Sequence, residues 1–392
     1  MLARSGWLAL ACLLWFSPAI AGMPAPVWIG LDLELRDVTS TSDDAVQFGA
    51  QRAVDEINAR GGVLNGRPLK LAVKDNRSVP QRGTHNIRDF AAMPDLVAFL
   101  TGKFSPVALE QAPLLPELRL IMLDPWAAAD GIVANGQDPN WAFRLSMNDS
   151  MAVQAVLAEA KRRGYRRVGA LLPNFGWGRS NHEALKRYLP RTAGMKLVGV
   201  EWYNLGGEPV LVDRYQALRS KGAEVVFMVA NEPDGAHFVR EIAQLPDQEK
   251  LPVISHWGIT GGDFFKLAGA GLRQVDLSVV QTYSFGKARN GRAAALRDAA
   301  LKHFGVNHAE RIPSPVGIAH AYDIVHLLAM AINRAGTTDR RAVRSALEHL
   351  PAYDGVVKHW PSPFTTKRHE ALAPGDLFFS RYVDDGRLVA IP

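Results

Sequence analysis

Arg167-Val168-Gly169-Ala170-Leu171-Leu172 is a short apolar run between polar residues, and the segments after it set the architecture. Asn181 to Arg191 has helical spacing, and Lys196 to Tyr203 reads as a strand. A helix from Leu211 to Lys221, a strand from Ala223 to Val229, a helix from Gly235 to Gln244 and a strand from Pro252 to Ser255 continue the alternation. Strands separated by helices pair in parallel, because a crossover helix returns the chain to the same end of the sheet. The same alternation has already run once upstream. Val27 to Leu31 is a strand, and Asp43 to Ala59 is a helix with Val46, Ala50, Ala53, Val54 and Ile57 on one face. Gly61-Gly62 ends that helix. Strands follow at Leu69 to Val73, Leu96 to Thr101 and Arg119 to Leu123, with a helix opened by Ser105-Pro106 before the last. Two such blocks predict an α/β protein with two doubly wound, Rossmann-like sheets. A long helix from Val316 to Ala335, a second from Arg340 to Leu350, and a hairpin around Asp384-Asp385-Gly386 complete the reading.

The chain has 392 residues, 47% of them hydrophobic and 21% charged. That composition excludes disordered and fibrous classes and leaves enough chain for two cores. Forty-five cations against 39 anions give a net charge of +6, which is no nucleic-acid footprint. The basic run Lys161, Arg162, Arg163, Arg166 and Arg167 reads as a solvated helix end.

Residues 1–21 read as a cleavable export signal. Arg4 precedes the apolar run Trp7 to Phe16, Ser17-Pro18 breaks it, and Ala19-Ile20-Ala21 supplies the small-residue cleavage pattern. The run is about half the ~20 residues that a bilayer span needs. The one cysteine, Cys12, lies inside it. Ala9 stands where a lipoprotein signal favours leucine, which argues against lipid attachment. The mature chain then has no disulfide, no thiolate metal site and no cysteine nucleophile. No other segment reads as apolar over ~18 residues, so a soluble periplasmic protein is expected.

Catalytic motifs are missing. There is no Gly-x-Ser-x-Gly elbow and no zinc-protease helix, and Gly102-Lys103-Phe104 fails as a phosphate loop. His320, Asp323 and His326 share one helix but spread over a third of its circumference, which suits packing better than a metal. No metal and no cofactor are expected.

The order of motifs resembles the type I periplasmic solute-binding proteins, specifically the branched-chain amino acid and amide group that serves ABC importers, the Leu/Ile/Val-binding type. The likeness rests on Ile29-Gly30, Gly49-Ala50, Glu56-Ile57-Asn58-Ala59 with Gly61-Gly62, Asp75, Ser105 after Leu100-Thr101-Gly102, Phe143-Arg144, Phe175-Gly176-Trp177-Gly178, Gly317, Ala321-Tyr322-Asp323 and Ala335-Gly336. It implies two lobes joined by three hinge crossings, near Phe143–Leu145, Gln281–Ser284 and Tyr353–Gly355. Lobe I would hold residues 26–143 and 284–352, and lobe II residues 146–281 and 355–392.

Ligands of open α/β sheets sit at the carboxyl ends of the strands. The candidate ligand residues are therefore Phe104, Ser105, Trp126, Ala127, Ala128, Phe175, Trp177, Asn231, Glu232, Trp257 and Tyr283. The resemblance gives Ser105 to a ligand carboxylate, and a helix start suits an anion. It also exposes three departures. Ala128 stands where threonine is common, Phe175 where tyrosine is common, and Trp257 about where amino-acid binders carry an acid for the ligand ammonium. Glu232 and Asp124 are the nearest acids that could meet a cation. The rings at the tips suit an apolar or aromatic ligand part.

The expectation is a monomeric, non-enzymatic protein that captures a small amino-acid-like carboxylate or amide and delivers it to the membrane permease of an ABC importer. Two rival readings are a ligand-sensing subunit for a membrane receptor or kinase and a periplasmic hydrolase.

Overall fold

The computed structural model describes residues 24–35, 42–206 and 210–392; the expected export signal lies outside them. The first block runs β1 (Val27–Leu33), α1 (Ser42–Ala59), β2 (Leu69–Asp75), α2 (Pro80–Ala92), β3 (Leu96–Thr101), α3 (Ser105–Gln111), α4 (Leu115–Leu118), β4 (Ile121–Asp124) and β5 (Ala142–Arg144). Its five strands form a wholly parallel sheet in the order β2-β1-β3-β4-β5. Val27, Ile29, Leu31 and Leu33 of β1 are all buried, as are all six residues of β3. Strands covered by helices on both faces carry such continuous apolar runs.

The second block runs α5 (Asp149–Arg162), β6 (Arg167–Pro173), α6 (Gly176–Tyr188), β7 (Lys196–Tyr203), α7 (Val212–Ser220), β8 (Val225–Met228), α8 (Glu232–Ala243), β9 (Val253–Ser255), α9 (Phe264–Ala268) and β10 (Leu277–Gln281). The chain then returns to the first block as α10 (Gly291–Phe304), α11 (Pro315–Ala335) and α12 (Arg340–Leu347), and makes the short ribbon β11 (Tyr353–Asp354) with β12 (His359–Trp360). It ends as β13 (Phe378–Tyr382) and β14 (Leu388–Ala390), the expected hairpin. The second sheet has the order β14-β13-β10-β9-β8-β6-β7, parallel except where the hairpin joins β10. The two doubly wound sheets are those expected from the alternation.

α11 is the main buttress of the first sheet. It lies against α1 so closely that a Cβ on Gly49 would stand 2.2 Å from the Ile318 carbonyl oxygen. Only glycine permits that approach. α11 corrects one expectation: it is long and apolar enough to span a bilayer, yet most of it is buried inside the fold. Its apolar character is that of a core helix wrapped on all sides.

The expected third crossing at Tyr353–Gly355 meets a different arrangement. Asp323 on α11 accepts the N–H groups of Val356 and Val357 at 2.9 Å each and the Tyr353 hydroxyl at 3.0 Å. Val356, Val357, Trp360, Phe364, Ala371 and Leu372 join the core of the first sheet. The chain reaches the second sheet only at β13. The segment that the resemblance offered as a crossing instead opens a ribbon pinned to α11.

Candidate functional site

Parallel strands run the same way, so their carboxyl ends lie together at one edge of each sheet. Here the two sets of ends face each other. β3 and β4 deliver Lys103, Phe104, Ser105, Trp126 and Ala128; β6, β8 and β9 deliver Trp177, Asn231, Trp257 and Gly258. Together they enclose a cavity of about 10 Å³, room for a single water.

Rings from opposite sides fill the space. Trp126 and Trp257 have centroids 5.6 Å apart, and Phe104 and Phe175 5.5 Å, each pair tilted by 42°. Phe175 in turn touches Trp177 at 6.4 Å. These are ordinary separations for attractive ring pairs. Trp126 is seated from behind by Gly317 on α11, where a Cβ would come within 2.5 Å of the indole.

The polar groups are arranged around the β4 tip. Arg144 pairs with Asp124 at 3.0 Å and donates to the carbonyls of Ala128 at 3.2 Å and Ala129 at 2.7 Å. Asp124 also accepts the Trp126 N–H at 3.0 Å. The Ala129 N–H donates to Ser105 Oγ at 3.3 Å. The structure makes Phe104 the cap of α3 and Ser105 its first residue; Ser105 is buried, its hydroxyl accepts from Ala129 alone among the described residues, and its O–H proton can serve another acceptor. The N–H groups of Ala127 and Ala128, both buried, have no hydrogen-bond partner among the described residues. Buried donors left unpaired are costly, and these lie beside the Ser105 hydroxyl.

Glu232, fully buried at the start of α8, is paired rather than open. Lys103 Nζ lies 3.4 and 3.5 Å from its two carboxylate oxygens, and Ser42 Oγ 3.5 Å from Oε1. Asp43 holds the neighbouring turn by accepting the Lys103 N–H at 2.8 Å; burial pushes its carboxyl up to about 7 against that bond and the one from the Glu34 N–H. Asp124 likewise meets Arg144 and not the cavity.

One cluster was not among the expected ligand residues. Asp149, at the start of α5, accepts the Trp177 indole N–H at 3.0 Å and lies 3.1 Å from His256 Nε2, while its own N–H donates to the Ala128 carbonyl. The Asn148 cap of α5 was the available signal. Of the expected residues, Ala127, Phe175, Glu232 and Tyr283 do not line the cavity, and Tyr283 belongs to another place. It lies past the end of β10, packs edge-on against Phe285 at 5.0 Å, and lines a separate hollow with Thr282 and Arg289.

His320 and Asp323 have protein partners and not a metal's geometry. His320 bridges the Pro125 carbonyl at 3.0 Å and Thr282 Oγ1 at 3.1 Å. The basic run pairs on the surface, Arg162 with Glu159, Arg163 with Asp276 and Arg167 with Glu224.

Residues 26–387 match the sequence profile of the periplasmic binding protein family. The chain belongs to that family. Its members are solute-binding proteins, not enzymes, and membership implies a periplasmic location. The Leu/Ile/Val-binding protein BraC3 of Rhizobium johnstonii is 25% identical over 342 residues, 86% of this chain and 88% of that protein. A type 1 periplasmic binding protein from Bordetella pertussis superposes with a TM-score of 0.83 at 21% identity, covering 94% of this chain and all of that one. The solute-binding protein of an ABC transporter from Rhodopseudomonas palustris, in complex with 3,4-dihydroxybenzoic acid, does so with a TM-score of 0.77 at 15% identity, covering 93% and 96%. The two-lobed type I fold and the resemblance to the Leu/Ile/Val-binding type therefore stand.

Proposed function

We propose that this periplasmic binding protein captures a small organic carboxylate with an apolar or aromatic body between its two lobes and presents it to an ABC importer. The observation that carries this reading is the meeting, at facing strand ends, of the Ser105 hydroxyl and the Ala127 and Ala128 N–H groups with the rings of Phe104, Trp126, Phe175, Trp177 and Trp257. The donors fit a carboxylate; the rings fit a flat apolar body. Asn231 adds an amide at the rim. A cavity of about 10 Å³ cannot hold such a solute, so binding requires the lobes to part and the ring pairs to separate before closing on it.

In the same reading residues 26–143 and 284–372 form lobe I, and 146–281 with 377–392 form lobe II. Residues 1–21 are removed on export, and the protein works as a monomer. The relatives bracket the solute class, one named for branched-chain amino acids and one holding an aromatic acid. Mass spectrometry of small molecules released by denaturing protein purified from cell envelopes tests the reading, with the intact mass of the same sample reporting the mature N-terminus. A carboxylate with an apolar body and a chain starting at Gly22 are expected. A sugar or a metal chelate would contradict the solute class, and retention of residues 1–21 would contradict processing.

A further inference from the structure

We infer that the site selects carboxylates that lack an α-ammonium group, because Lys103 already holds the acid that would receive one. The inference rests on the carboxylate reading above and names which carboxylates are taken. Glu232 is fully buried and does not line the cavity; Lys103 does, with a side chain 6% exposed. Its Nζ contacts both Glu232 oxygens at 3.4 and 3.5 Å, so Glu232 already has an ammonium as its partner. The opposite side of Glu232 is closed by Ser42 and Gly261, where a Cβ would come within 2.5 Å of Glu232 Oε1.

The other acids nearby are engaged. Asp124 meets Arg144 and the Trp126 N–H, Asp43 meets the Glu34 and Lys103 N–H groups, and Asp149 meets Trp177 and His256. None of the residues lining the cavity is acidic, and Lys103 is the one charged residue among them. A solute ammonium would lose water without gaining a counter-charge and would face the like charge of Lys103. A solute carboxylate meets no acid on the lining and keeps the Ser105 hydroxyl and the Ala127 and Ala128 N–H groups as donors.

The test is calorimetric titration of the mature wild-type protein with two matched pairs, 3-phenylpropionate against phenylalanine and 4-methylpentanoate against leucine. Within a pair only the α-ammonium differs. The acid without nitrogen should bind about tenfold or more tightly in the pair whose body fits, the scale at which a site rejects a group it cannot pair. Lys103→Met opens Glu232 and should shift that ratio about tenfold towards the amino acid. The double variant Lys103→Met/Glu232→Gln, which leaves no charge unpaired, should show no such gain. Equal wild-type affinity within the fitting pair, or an unchanged ratio in a folded Lys103→Met, overturns the inference and leaves the carboxylate reading in place. Binding of none of the four by the folded wild type overturns that reading and the inference with it.

Discussion

Two buried ion pairs sit at the strand ends, and they are built differently. Asp124 and Arg144 are directly opposite each other on β4 and β5 of one sheet, 3.0 Å apart and both fully buried. Arg144 also donates to the Ala128 and Ala129 carbonyls and lies 3.6 Å from a Glu370 carboxylate oxygen. Lys103 and Glu232 come from different sheets, meet at 3.4 Å, and span the cleft. On the proposed opening of the lobes the first pair would stay intact and the second would break. A buried pair is costly to break mainly through the charge left without a partner. On that proposal the one inside a sheet is a condition of folding, and the one between the sheets a condition of closure.

The largest effect tests the first half of that contrast. Arg144→Met leaves the buried Asp124 carboxylate without its counter-charge, takes one too from Glu370 and one donor each from the Ala128 and Ala129 carbonyls, and denaturant unfolding should show a loss of about 3–5 kcal/mol. A loss under 1 kcal/mol would mean that the β4 tip is held by something else.

The next effect concerns the other anchor of that tip. His320 ties α11 to the Pro125 carbonyl and to Thr282, and burial lowers its imidazole pKa from 6.5 to about 4. The unfolded chain takes up a proton as pH falls through 6.5, but the native state resists until about 4. The contribution is whole above pH 6.5 and is lost between there and 4, on the order of 3 kcal/mol in total. His320→Gln should flatten that part of the stability–pH curve. An unaltered slope would place the tip's acid sensitivity elsewhere.

A smaller effect belongs to the cross-cleft pair. Lys103→Met should cost about 1–2 kcal/mol of stability, because opened lobes let water reach Glu232. Scattering should show a larger radius of gyration without added solute than for wild type. Equal losses for Lys103→Met and Arg144→Met, with unchanged scattering, would erase the distinction between folding and closure.

The sequence makes the same division visible in another way. A strand buried on both faces is legible to the residue, as the unbroken run of β3 shows. α2 and α10 are not, because their apolar stripes are thin: Ile87 and Phe90 in one, Leu296 among alanines in the other. α6 and α8 begin several residues before their apolar spacing does, since their first turns hold Gly176, Gly178, Glu232 and Pro233. Those first turns carry Trp177 and Glu232, so the reading by strand ends found these residues where helical periodicity did not. What it could not reach is pairing between segments distant in the chain. Nothing in the order of residues ties Lys103 to Glu232, or Asp149 to Trp177 and His256, because the chain returns from more than a hundred residues away in the first case and the partners of the second converge from three elements.

The central claim is that solute binds between facing rings beside the Ser105 hydroxyl. Calorimetry of wild type, Ser105→Ala, Trp126→Ala and Trp257→Ala with whichever of the four matched acids binds tightest tests it most directly, with circular dichroism as the folding check. Ser105→Ala should weaken binding by about 1–3 kcal/mol, the scale of a hydrogen bond to a charged group. Each tryptophan variant should lose at least as much, with the fold intact. Wild-type affinity in all three folded variants would contradict the account and make the rings packing alone.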